Sequence, residues 1–150
     1  MYDSSGKQFG IASSQWLLLD MKSLRPKIIE TDELITVRDA ERNVFEDPIE
    51  KLPAIEEGEV LRKQVDYTDL DINQHVNSNR YVDFILGTFD QEFHHKYNVS
   101  DFQLNFVREI KGVNEILLRR KQIQNDTMYM IEGFSDSNKK AYFQSFVRFI

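Results

Sequence analysis

Between Tyr81 and Phe93 the apolar residues fall at steps of three and four: Tyr81, Val82, Ile85, Leu86, Phe89 and Phe93. That spacing lays a single apolar stripe along one helix. Asn77 or Ser78 suits its N-cap, and Lys96-Tyr97-Asn98 its end. On either side the pattern is that of strands. Val60–Val65 precedes the helix, and Phe102–Ile110 follows it with Phe102, Leu104 and Phe106 on one side. Glu115–Gln124 comes next, and Met128–Phe134 and Ala141–Ile150 flank the turn S-D-S-N-K-K. A lone amphipathic helix must bury its stripe against a sheet. The expected class is therefore α+β, with a strand, a long helix and then an antiparallel meander.

The 150 residues and 41% hydrophobic content leave room for a core. A net charge of −6 speaks against a nucleic-acid partner. No cysteine is present, which excludes disulfides, thiolate metal sites and thiol catalysis. No apolar run is long enough for a membrane span, and the N-terminal M-Y-D-S-S-G-K-Q-F-G lacks signal-peptide character, so a cytoplasmic protein is expected. His94 and His95 are adjacent and diverge by about 100° on a helix, so no metal or other cofactor is expected.

Both ends of the chain pair turn chemistry with a terminal strand. Asp3-Ser4-Ser5-Gly6-Lys7 precedes G-I-A-S-S-Q-W-L-L-L-D, and Asp136-Ser137-Asn138-Lys139 precedes A-Y-F-Q-S-F-V-R-F-I. The expectation is a hairpin remnant of one domain over residues 1–22 and a complete second copy over 60–150. Residues 23–59 hold all three prolines and read as a linker, with one short helix near Asp32 to Ala40. Trp16 and Leu17-Leu18-Leu19 are expected in strand core. The basic runs Arg119-Arg120-Lys121 and Lys139-Lys140 read as solvated surface, or as docking points for an acidic partner.

The stretch D-L-D-I-N-Q-H-V-N-S-N-R-Y, from Asp69 to Tyr81, stands between these elements. If it were extended, Asp71, Asn73 and His75 would share one side. A polar loop with a helix cap accounts for such residues without chemistry. Yet a carboxylate, an amide and an imidazole beside a helix N-terminus are also the set that holds and activates water.

Together with its flanks, Tyr67 to Tyr81 resembles the D-x-D-x-N-x-H-V-N-N-x-x-Y signature of acyl–acyl-carrier-protein thioesterases. These have the hot-dog fold, a long helix wrapped in an antiparallel sheet, with two such domains in tandem and the signature opening the second. A-S-S-Q-W-L-L-L-D followed by Arg25-Pro26 is similar to the exit of the first domain. The resemblance implies hydrolysis of a fatty-acyl thioester on acyl-carrier protein, with acyl-CoA thioesterases as the nearest alternative. A non-catalytic module that binds acyl carriers is the other, and pairing of two copies through the sheet is implied as well.

It also implies catalytic roles for Asp71, Asn73 and His75. Plant members carry R-R-E-C after the helix, and Val107-Arg108-Glu109-Ile110 occupies that place, making Glu109 the acidic residue. Ile110 stands where those members have cysteine, so water has to be the nucleophile. Glu109 is the expected general base, and the backbone N–H groups of Val76 and Asn77 the expected oxyanion donors. Strict alternation would turn Glu109 away from the helix face of Phe102 and Phe106; either a bulge near Val107–Arg108 brings it back, or the site lies on the other face. Tyr81 reads as helix core.

Overall fold

The computed structural model describes residues 1–16, 18–20, 22–23, 25–27, 49–124 and 126–150. Leu17 and the short helix expected over Asp32 to Ala40 lie outside them. Alternating side chains build five strands: β1 (Glu59–Gln64), β2 (Val99–Phe106), β3 (Glu115–Gln124), β4 (Met128–Phe134) and β5 (Ala141–Phe149). All neighbours are antiparallel, in the order β1-β3-β4-β5-β2. The strands fall close to the positions that period-two alternation marks out, with the one large difference at the end of β2.

Register decides what each face carries. Leu118, Gly133, Phe143 and Phe106 stand opposite one another across four strands, and Arg120, Ile131, Ser145 and Leu104 form the next row. This face receives the helix. Tyr81, Phe84 and Ile85 pack in one cluster with Ile116, Leu118, Ile131, Phe143 and Val147. Ile85 is wholly buried, and each such side chain contributes about 1.5–3 kcal/mol relative to exposure.

The long helix is interrupted. α1 (Ser78–Leu86) ends at Gly87, and α2 (Gln91–Lys96) begins after Asp90. The Asp90 carboxylate accepts the Phe93 N–H, and the Thr88 hydroxyl donates to the Ile85 carbonyl at 2.7 Å. Those side chains compete with the helical bonds of the backbone and stop the first segment. The apolar stripe survives the break: Phe89 stacks on Phe93 with centroids 4.7 Å apart, and both rings meet Phe149 edge-on.

The basic run of β3 is not a solvated surface. Alternation sends Arg119 and Arg120 to opposite faces. Arg119 lies over Phe134, pairs with buried Glu132 and donates to the Ile55 carbonyl. Arg120 lies over Phe89, pairs with Glu59 and donates to the Thr88 carbonyl. Neither guanidinium is free to dock an acidic partner. Lys139 pairs with Asp136 within its own turn.

The chain divides into Met1–Glu50 and Lys51–Ile150. The second unit thus takes in nine residues expected in the linker, because Ile55 is buried and its carbonyl is held by Arg119. In the first unit a turn forms, with the Asp3 carboxylate accepting the N–H groups of Ser5 and Lys7. Its described residues carry only the isolated bridges Tyr2↔Gln8 and Leu19↔Pro26. Trp16, expected in strand core, is 85% exposed; an isolated bridge provides no sheet to cover it.

Gly133 carries the tightest packing in the sheet. A Cβ there would stand 2.1 Å from the fully buried Phe143 ring. Gly133→Ala is expected to cost about 1–3 kcal/mol, read as a lower urea midpoint with unchanged slope. An unaltered midpoint would contradict this packing.

Candidate active site

The signature segment is a tight turn and not an extended strand. Asp71 Oδ1 accepts the backbone N–H groups of Asn73 at 2.8 Å and His75 at 3.0 Å. The Asp71 N–H donates to the His75 carbonyl at 2.7 Å, and Gln74 adopts a φ of 61°. The carboxylate replaces the amide partners that a strand would supply, which is how an Asx residue closes a loop. Period-two alternation therefore does not govern where Asp71, Asn73 and His75 point. Asn73 is exposed and its side chain has no hydrogen bond among the described residues. The Asp71 carboxylate serves the backbone and leaves the imidazole to another partner.

That partner is Glu109. Phe106 still pairs with Phe143, but Val107 and Arg108 both donate their N–H groups to the Tyr142 carbonyl, each at 2.9 Å. Two residues against one is a bulge. Beyond it, His75 Nε2 stands 3.6 Å from Glu109 Oε2, with the His75 side chain 24% and the Glu109 side chain 71% exposed. The gap is slightly longer than a hydrogen bond and fits two groups that share a third.

Two backbone contacts hold the pair's surroundings. The Val76 N–H donates to the Ile110 carbonyl at 3.0 Å, and His75 bridges Lys111. The Ile110 N–H in turn donates to the hydroxyl of buried Tyr81 at 3.3 Å. Burial pushes that hydroxyl above the usual phenol range, and the negative charge of Glu109 adds to the shift.

These bonds correct the expected oxyanion donors. The Val76 N–H is committed to Ile110, and the Asn77 N–H to the Asp69 carbonyl at 2.8 Å. Asn77 instead caps α1, its Oδ1 accepting the Asn79 N–H. In that first turn only the Ser78 N–H has no acceptor among the described residues. Long-range pairing decides which amides are spent, and no local motif reports it. The role of Asp71 in the turn, by contrast, was open to sequence reasoning from the Asx spacing alone.

Residues 52–145 match the model of the acyl-ACP thioesterase C-terminal domain. The chain belongs to the acyl-ACP thioesterase family. It is 29% identical over 121 residues to the chloroplastic palmitoyl-acyl carrier protein thioesterase of Cuphea hookeriana, covering 71% of this chain and 27% of that protein. Over 43 residues it is 44% identical to the chloroplastic dodecanoyl-[acyl-carrier-protein] hydrolase of Cinnamomum camphora, covering 29% of this chain and 11% of that protein. The chain thus spans about a quarter or less of these relatives. Its fold is that of an acyl-ACP thioesterase from Bacteroides thetaiotaomicron, with a TM-score of 0.66 and 23% identity over 88% of this chain and 53% of the other. The 12:0-ACP thioesterase of Umbellularia californica gives a TM-score of 0.63 at 16% identity, over 88% and 52%. The hot-dog fold expected from the signature is present. No described helix is long and apolar enough to cross a membrane.

Ile110, expected at the place of the cysteine in the R-R-E-C segment of plant members, is wholly buried. Ile110→Cys is expected to cost about 1–3 kcal/mol and to hold a thiol that a disulfide dye labels only on unfolding. Rapid labelling of the native variant would place position 110 at the surface.

Proposed function

We propose that this chain carries the catalytic half of a fatty-acyl thioesterase that uses water as its nucleophile. The observation that supports this best is the approach of Glu109, just past the bulge, to His75 beside the start of α1. Glu109 is exposed and takes the proton of a water that attacks the thioester carbonyl. His75 orients the water or returns the proton to the leaving thiolate. A base placed in this way contributes about 10²–10⁴-fold. The Ser78 N–H takes over as donor to the developing oxyanion from Val76 and Asn77, whose amides are already bonded. Asp71 acts by shaping the turn that presents His75, and the exposed Asn73 amide by contacting substrate.

The carrier we propose is acyl-carrier protein, in keeping with the family, with the acyl-CoA thioester as the nearest alternative. We also propose that the β2 edge pairs with a second hot-dog sheet. Val99, Phe102 and Phe106 are 42%, 38% and 58% exposed along that edge, whereas the opposite edge sets one exposed apolar residue, Val60, among Glu59, Arg62 and Lys63. Charged residues protect an edge from pairing, and apolar ones invite it.

Thiol release from acyl-carrier protein and from acyl-CoA, followed with a thiol-reactive dye, tests the reading. The absence of cysteine removes background from the protein itself. Release is expected to fall by about 10²–10⁴-fold in both His75→Ala and Glu109→Gln. Loss in the His75 variant alone would remove Glu109 as base. A folded wild-type chain that binds acyl-carrier protein without releasing thiol would favour the binding module instead.

A further inference from the structure

We infer that Tyr81 is a positioning residue, whose hydroxyl fixes Glu109 opposite His75 by holding the backbone of Ile110. The inference rests on the roles proposed above for Glu109 and His75. The Glu109 side chain is 71% exposed, and among the described residues its one ion pair is with His75 at 3.6 Å. Packing therefore does not place this carboxylate, and its location follows from the backbone on either side.

Upstream of Glu109, the bulge holds Val107 and Arg108 against Tyr142. Downstream, Ile110 is fastened at both polar atoms. Its carbonyl accepts the Val76 N–H at 3.0 Å, and its N–H, belonging to the peptide that joins it to Glu109, donates to the Tyr81 hydroxyl at 3.3 Å.

The tyrosine is itself rigid. It is 4% exposed, and its ring meets Phe106 and Phe143 edge-on with centroids 5.0 and 5.3 Å away. A ring locked in this way brings α1, which begins beside His75, to the peptide that carries Glu109. Phenylalanine preserves every ring contact and removes only the tether. The usual reading of a tyrosine on the apolar stripe, as core and nothing more, predicts no loss beyond stability.

The test is Tyr81→Phe in the full chain, alone and combined with Glu109→Gln. On acyl-carrier-protein substrate, the single variant is expected to lose kcat on the order of tenfold with KM unchanged, as misplaced catalytic groups do. In the Glu109→Gln background the same change is expected to cost less than about twofold, because the group it positions is gone. Amide exchange, which needs no turnover, is expected to speed up at Ile110 and its neighbours and to stay unchanged in the β3–β4–β5 core. An equal loss of kcat in both backgrounds, unchanged kcat, or an unfolded Tyr81→Phe protein would each reduce Tyr81 to a core residue and overturn the inference. If the wild-type chain shows no turnover, the thioesterase reading has failed. The exchange result then decides alone, and unaltered protection at Ile110 overturns the tether.

Discussion

The amides of Val107 and Arg108 share one acceptor, the Tyr142 carbonyl, and this pair of hydrogen bonds to a single oxygen ends the β2–β5 ladder just before Glu109. Through Phe106 the β2–β5 ladder is regular, with Phe106 opposite Phe143. One extra residue then ends the regular ladder. Glu109 reaches His75, and Ile110 takes the buried place that continues the core. The local ladder loses regular pairing there, and each such hydrogen bond contributes only about 0.5–1.5 kcal/mol to stability. The bonds of Ile110 to Val76 and Tyr81 offset that loss. A small irregularity in the sheet is thus stabilised on both sides.

The signature turn works by a different economy. Asp71 closes the loop through backbone N–H groups, and Asn77 caps the helix, so the hydrogen bonds of both side chains among the described residues go to the backbone. Their consequence for chemistry is indirect: the turn aims one imidazole at one carboxylate. Family membership does not depend on this distinction, but the division of labour within the motif does.

Much of the fold was legible because its signals are periodic and local. The switch from steps of three and four to steps of two marked the helix and every strand, and the S-D-S-N-K-K turn marked the last hairpin. The Glu109 conflict even pointed to a bulge, since strict alternation could not satisfy both the phenylalanines and the carboxylate. The helix break was less legible, because Phe89 and Phe93 keep the apolar phase across Gly87–Asp90. Arg119 and Arg120 read as surface because charge is judged residue by residue, whereas their burial depends on Glu132, Glu59 and two aromatic rings contributed from elsewhere. The spent amides of Val76 and Asn77 were invisible for the same reason: their acceptors are set by tertiary pairing.

The bulge also bears on how such a site is lost in descent. Deleting either Val107 or Arg108 would let β2 continue its regular pairing with β5, a change that costs the sheet little. It would also draw Glu109 back by one residue, about 3.4 Å of strand, and away from its place opposite His75. On the role proposed for Glu109, a lineage could therefore retire the carboxylate by losing a single codon, with His75, Glu109 and the signature turn all intact. Relatives that keep every signature residue yet lack the extra residue before their glutamate would be expected among proteins that bind acyl carriers without cleaving them.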